Sequence, residues 1–146
     1  MGVKLGLDAK LYRNSGSYAS PTWAEVKNVK DVTLNLEAGE ADVSTRGNGG
    51  WRANIATLKD ASLEFEMVWD SADDDFTAVR TAFLANGAVE FAVLDGDILT
   101  AGSQGLRATM SITNFSRSEA LEEAIGVSVT AKPTYAANPP EWMTVP

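Results

Sequence analysis

The sequence predicts a mainly β protein, an antiparallel β-sandwich or barrel with one flanking α-helix at about residues 72–86. Three observations point there. Apolar and polar residues alternate with a period of two over most of the chain, the pattern of strands buried on one face. Clusters of Gly, Asn, Asp and Pro punctuate these runs at regular spacing, as in sandwiches and barrels. A single interval switches to helical spacing.

Residues 3–13 read as a first strand, with Leu5, Leu7, Ala9 and Leu11 on one face and Lys4, Asp8 and Lys10 on the other. A polar turn at 14–22 (NSGSYASPT) follows. The stretch from Trp23 to Glu37 holds one or two strands, with Val32, Leu34 and Leu36 set against Asp31, Thr33 and Asn35. Residues 38–50 (AGEADVSTRGNGG) read as a long polar connection with four glycines, and such loops are more often functional than accidental. Strands are expected at 51–57 and 61–69. In the second, Leu63, Phe65, Met67 and Trp69 alternate with Ser62, Glu64, Glu66 and Val68. Trp51 and Trp69 both stand at positions compatible with a core.

The helix begins at Ser71, a residue suited to N-capping. Asp73, Asp74 and Asp75 place negative charge at the positive end of the helix dipole. Ala72, Phe76, Val79 and Phe83 follow at helical spacing, and Asn86-Gly87 is a stop signal. The opposite face carries Ala78, Thr81 and Ala85, small and uncharged, which a neighbouring chain could approach closely. Further strands are expected near 88–94, 105–115 and 125–132, with a second polar loop at 95–105. Pro139 and Pro140 exclude a central strand near the C-terminus, so about 135–146 reads as an extended arm carrying Trp142. With no internal repeat and no composition break, residues 1–146 form one expected domain.

The composition excludes more than it assigns. A net charge of -8 argues against a protein that grips nucleic acid, because phosphate binding needs clustered Lys and Arg. It is compatible with a surface that nucleic acid slides past, since like charges repel. No Cys and no His are present, so disulfides, thiolate nucleophiles and imidazole bases are absent from the chemistry. No apolar run approaches membrane-spanning length. The N-terminus lacks a secretory pattern, and Gly6 stands where a myristoylation signal wants Ser or Thr. The chain is expected in the cytoplasm where it is made.

Enzyme readings fail singly. The serines have no nucleophile elbow and no Ser-x-x-Lys pattern. The glycines at 47–50 lack the strand–helix context and the Lys of a phosphate loop. An EF-hand starting at Asp70 would need Gly and Glu where Asp75 and Thr81 stand. Asp95 and Asp97 read as a turn after a strand. Glu64 and Glu66 share one strand face and read as a wet row rather than an acid–base pair. No catalytic residue, metal site or cofactor is expected.

Three segments together carry a resemblance. They are 32–70 (VTLNLEAGEADVSTRGNGGWRANIATLKDASLEFEMVWD), 73–96 (DDDFTAVRTAFLANGAVEFAVLDG) and 105–134 (GLRATMSITNFSRSEALEEAIGVSVTAKPT). Their succession resembles the major tail proteins of siphophages and related prophage elements, the phage tail tube proteins. The resemblance implies copies of one chain joined into hexameric rings, stacked into a tube that conducts genomic DNA at ejection past a commonly acidic wall. It also implies tape-measure, terminator and baseplate proteins as partners, no membrane, and a place in the virion tail after assembly in the host cytoplasm. The sequence carries the tube domain without an immunoglobulin-like C-terminal extension.

On that resemblance Glu64 and Glu66 are expected to face the lumen, beside polar rows at Thr109, Ser111 and Thr113 and at Ser128 and Thr130. Glu40, Asp42, Arg46 and Asn48 in the 38–50 segment, with Trp142 in the arm, are expected to make inter-ring or inter-subunit contacts. Two rival readings stand beside it. One is a related ring or tube: a tail terminator, a head–tail connector, or the tube of a secretion or gene-transfer particle. The other is a carbohydrate-binding sandwich using Trp23, Trp51 or Trp142.

Overall fold

Alternation of apolar and polar residues builds eight antiparallel strands in the computed structural model, which describes residues 3–146. They are β1 Lys10–Asn14, β2 Trp23–Glu25, β3 Val29–Asp42, β4 Asn54–Val68, β5 Ala88–Leu94, β6 Gln104–Ser118, β7 Gly126–Pro133 and β8 Glu141–Thr144. One helix, α1 Asp74–Ala85, lies between β4 and β5. The strands bond in the order β2-β1-β5-β6-β7-β4-β3, with β8 added to β6.

The two ends of that order, β2 and β3, are joined by only three residues, so the sheet must curl until its edges meet. Backbone bonds continue through the joint: Val26 N–H donates to Leu11 O (2.8 Å), and Val68 N–H donates to Asn28 O (2.9 Å). The result is barrel-like closure without a continuous ladder, one of the ways antiparallel folds hide their edges.

Residues on the concave face form the core. Leu63, Phe65 and Met67 of β4 meet Phe91 of β5, Met110 of β6, and Val127 and Val129 of β7, all buried. The helix closes this core with Phe76, Val79 and Ala82. Phe76 packs edge-on against Trp69, with ring centroids 4.7 Å apart. The helix is capped by Asp73, whose carboxylate accepts from Phe76 N–H, and not by Ser71 as the sequence suggested. Asp75 anchors the first turn, accepting from Arg13 Nε at 2.7 Å in a nearly buried pair.

The strands at 88–94, 105–115 and 125–132 appear within a few residues of their expected bounds. Two expectations need correction. Residues 3–9 are not a strand: Gly6–Asp8 forms a short 3-10 turn and only Lys10–Asn14 pairs. The alternation is there, but among the described residues the segment forms no ladder with any strand. The expected loop 38–50 and expected strand 51–57 are instead parts of a hairpin. β3 runs on to Asp42, β4 starts at Asn54, and they pair as far as Asp42 with Asn54. Gly39 sits at a register irregularity between Ala38 and Glu40, which lets a glycine-bearing stretch remain in a ladder.

Candidate functional site

Two surfaces bring together the residues singled out by sequence. The first is the convex, polar face of β3, β4, β7 and β6. Register places Thr33, Glu64, Thr130 and Asn114 in one transverse row and Lys30, Glu66, Ser128 and Ser116 in the next. Glu64 is exposed and Glu66 half-buried. Lys30 Nζ lies 3.9 Å from Glu66 Oε1, a long contact between exposed groups that screening weakens. Glu64 has no ion-pair partner among the described residues. Further along the same face Glu37 stands directly opposite Asp60, and like charges so placed oppose pairing.

One expected member of the row is displaced. β6 shifts register between Ile112 and Asn114, so Thr113 occupies the bulge and its hydroxyl donates to Thr130 O (3.2 Å). The polar row passes from Ser111 to Asn114 and Ser116 instead.

The second surface is the β3–β4 hairpin beyond Leu34 and Ala61. Its residues are exposed on both faces, including Leu36 (54%), Ile55 (55%) and Leu58 (86%). Four of the five expected contact residues gather here: Glu40 and Asp42 at the end of β3, Arg46 and Asn48 in a 3-10 turn at the tip. Hydrogen bonds from Ser44, side chain first and then backbone, hold the Asp42 carboxyl below its ordinary value. Gly49 and Gly50 take positive φ (62° and 84°), a conformation that excludes most other residues. They turn the chain back toward Trp51, which is 80% exposed and so is no core residue. Arg46 and Arg52 flank this tip without an ion pair among the described residues. Burial could not have been read for Trp51 from periodicity, because the hairpin leaves the core before reaching it.

Trp142, the fifth expected contact, lies apart from the tip on β8. It pairs with Leu106, and its Nε1 donates to Gln104 Oε1 (2.9 Å). The expected arm is therefore tied to the sheet from Glu141 onward, leaving 135–140 as the irregular link.

A node that sequence did not reveal braces the opposite end of the convex face. Arg107 Nε lies 3.1 Å from Glu90 Oε2, and its Nη2 donates to Glu90 Oε1 (3.1 Å) and Tyr18 O (2.8 Å). Its guanidinium covers the Tyr18 ring (3.8 Å to the centroid) and approaches Trp23 (5.0 Å). The Tyr18 hydroxyl donates to Glu141, which raises its pKa. Trp23 is thus partly covered and packed, which removes it as an open stacking platform. The partners are far apart in sequence, so no local motif announces them.

Among the described residues no group of three His, Cys, Asp or Glu side chains is arranged to hold a metal ion. No helix among them is long and apolar enough to cross a membrane.

Comparison with known proteins returns one family model, described as phage tail tube protein, matching residues 9–134. No curated protein matches the chain in sequence. Among solved structures, the chain is similar to the tail of an empty gene transfer agent particle refined with C6 symmetry: TM-score 0.74, 19% identity, 99% of this chain and 100% of that one. It is similar to a chain of the native gene transfer agent virion (TM-score 0.73, 17% identity, 97% and 100% covered). It is also similar to the SPP1 tail tube (TM-score 0.70, 15% identity, 89% and 75% covered).

Proposed function

Because the chain belongs to the phage tail tube protein family, a family of virion structural proteins, we propose that six copies close into a ring, that rings stack into a hollow tube, and that genomic DNA passes through it without adhering. The whole chain, 1–146, acts as one tube domain and performs no catalysis. Its partners are further copies of itself, with tape-measure, terminator and baseplate proteins at the tube's core and ends. The tube is assembled in the host cytoplasm and works in the virion tail. The six-fold symmetry of the gene transfer agent tail supports the ring number.

The observation that carries this reading is the β3–β4 hairpin, strands of 14 and 15 residues whose outer halves bury almost nothing in their own chain. A two-stranded ribbon alone is marginal in water. Exposed Leu36, Ile55, Leu58 and Trp51 on such a ribbon mark a surface meant for another protein. Glu40, Asp42, Arg46 and Asn48 make the contacts between rings, with Trp142 contributing from β8. In the ring, the polar faces of neighbouring copies form one wall, so that Glu64 and Glu66 repel the DNA backbone. Deleting residues 42–49 tests the role of the arm. Folded monomers with unchanged thermal unfolding should remain, while tubes disappear from electron micrographs; normal tubes from this variant would end the reading.

A further inference from the structure

Three features at one end of the barrel bear on how two copies could join. β4 bonds β3 along its length, but bonds β7 only from Leu63 to Val68. On that side the edge from 54 to 62 has no strand beside it among the described residues. β8 likewise bonds β6 over 104–107 and is open on its far side. Between these two edges lies a cleft of about 800 Å³, lined by Leu36, Ala61, Leu106 and Trp142, with Lys59, Asp60 and Glu141 at its margin.

The third feature is the segment 3–9. Val3, Leu5 and Leu7 alternate with Lys4, Gly6 and Asp8, yet they are 77%, 67% and 91% exposed. A strand pattern without a strand partner is an unmet pairing. The segment leaves β1 at Lys10, which pairs with Leu94; Leu94 pairs with Gly105, and Gly105 with Met143 of β8. It therefore departs from the end of the barrel where the cleft opens. Within its own chain the segment lies instead along the β2–β3 joint, beside Val29 and Val32.

We propose that residues 3–9 of one copy enter the cleft between β4 and β8 of a second copy as an added strand. This rests on the assembly reading and specifies one joint within it. Backbone bonds to the open edge of β4 supply affinity, and alternation supplies fit. Leu5 and Leu7 turn toward Ala61, Leu106 and Trp142, whose side chains share the concave face. Lys4 and Asp8 turn the other way, Lys4 within reach of Asp60 and Glu141. The hairpin tip is a poorer occupant, because Gly49 and Gly50 hold left-handed conformations that no strand contains.

The chain has no cysteine, so engineered disulfides report contact without background. Leu5→Cys protein is mixed with size-tagged Ala61→Cys protein, and Leu7→Cys with tagged Lys59→Cys, under assembly conditions with a mild oxidant. At least one mixture should give covalent heterodimers about tenfold above homodimers, as expected for a pairing fixed by geometry. Tubes that form without a heterodimer in either mixture overturn the proposal and leave the tube reading standing. Absence of any polymer from the unmodified protein overturns both. In parallel, the double variant Leu5→Asp, Leu7→Asp should unfold at the unchanged temperature, since both side chains are exposed in the single copy. It should need about a hundredfold higher concentration to assemble. Assembly at the original concentration would refute the added strand.

Discussion

On the convex face Arg107 joins three segments that are distant in sequence, bonding Glu90 and Tyr18 and lying 3.9 Å from Glu141. Its side chain is 11% exposed and that of Glu90 is 9%, so each is the other's compensation for lost water. Replacing Arg107 by Leu leaves the buried Glu90 carboxylate without a counter-charge, with only the Asn14 amide still donating to it (2.6 Å). We expect a loss of about 3–5 kcal/mol in urea unfolding, and a loss below about 1 kcal/mol would show that the node is not structural. Arg107→Lys should recover little, because an ammonium cannot fork to Glu90 while lying flat on Tyr18. None of this was visible in sequence. Arginine in a strand with Glu and Tyr elsewhere carries no local signal, and only register brings positions 18, 90 and 107 together. By contrast, Asp75 beside the helix start was legible as an acid at a positive dipole end, though its partner Arg13 was not.

Elements were legible where burial and local pattern agree. β5, β6 and β7 alternate over a core and could be placed from sequence within about three residues. The helix was legible from Phe76 and Val79, which both bury. The hairpin was not, because four glycines and a run of polar side chains are the usual marks of a loop, and an arm without a core shows no period. Residues 3–9 misled in the other direction, since they have the period but no neighbour in their own chain. At this scale the β5–β6 ladder has one strict requirement. A Cβ added at Gly105 would collide with Val93 O, which is backbone and not a movable side chain. Gly105→Ala should force β5 and β6 apart, and with them the β8 ladder that starts from the same residue. The expected result is a loss of at least about 3 kcal/mol or failure to fold, read by circular dichroism and urea unfolding. An unchanged unfolding midpoint would show that the strands separate there without cost.

At the scale of the whole molecule, net charge and shape work together. Each chain carries -8, yet the proposed ring requires copies to approach closely. On the proposed reading, Glu64 and Glu66 would line the channel and turn part of that charge toward DNA, where repulsion is useful. The variant Glu64→Lys, Glu66→Lys should still form tubes of normal diameter, since neither side chain enters the core. Particles built from it should deliver DNA about tenfold less efficiently or worse, as an attractive wall slows a passing polyanion. Unchanged plating would exclude a lumen role for this pair. Closure of the barrel has a consequence of another kind, in the order of events during synthesis. Tyr12 of β1 pairs with Ala92 of β5, about 80 residues later. At about 5–20 residues per second a ribosome needs roughly 4–16 s to make that stretch. The first strand can therefore pair early with β2, which follows it closely, but its ladder to β5 must wait, so the barrel closes only after the first 94 residues have been made.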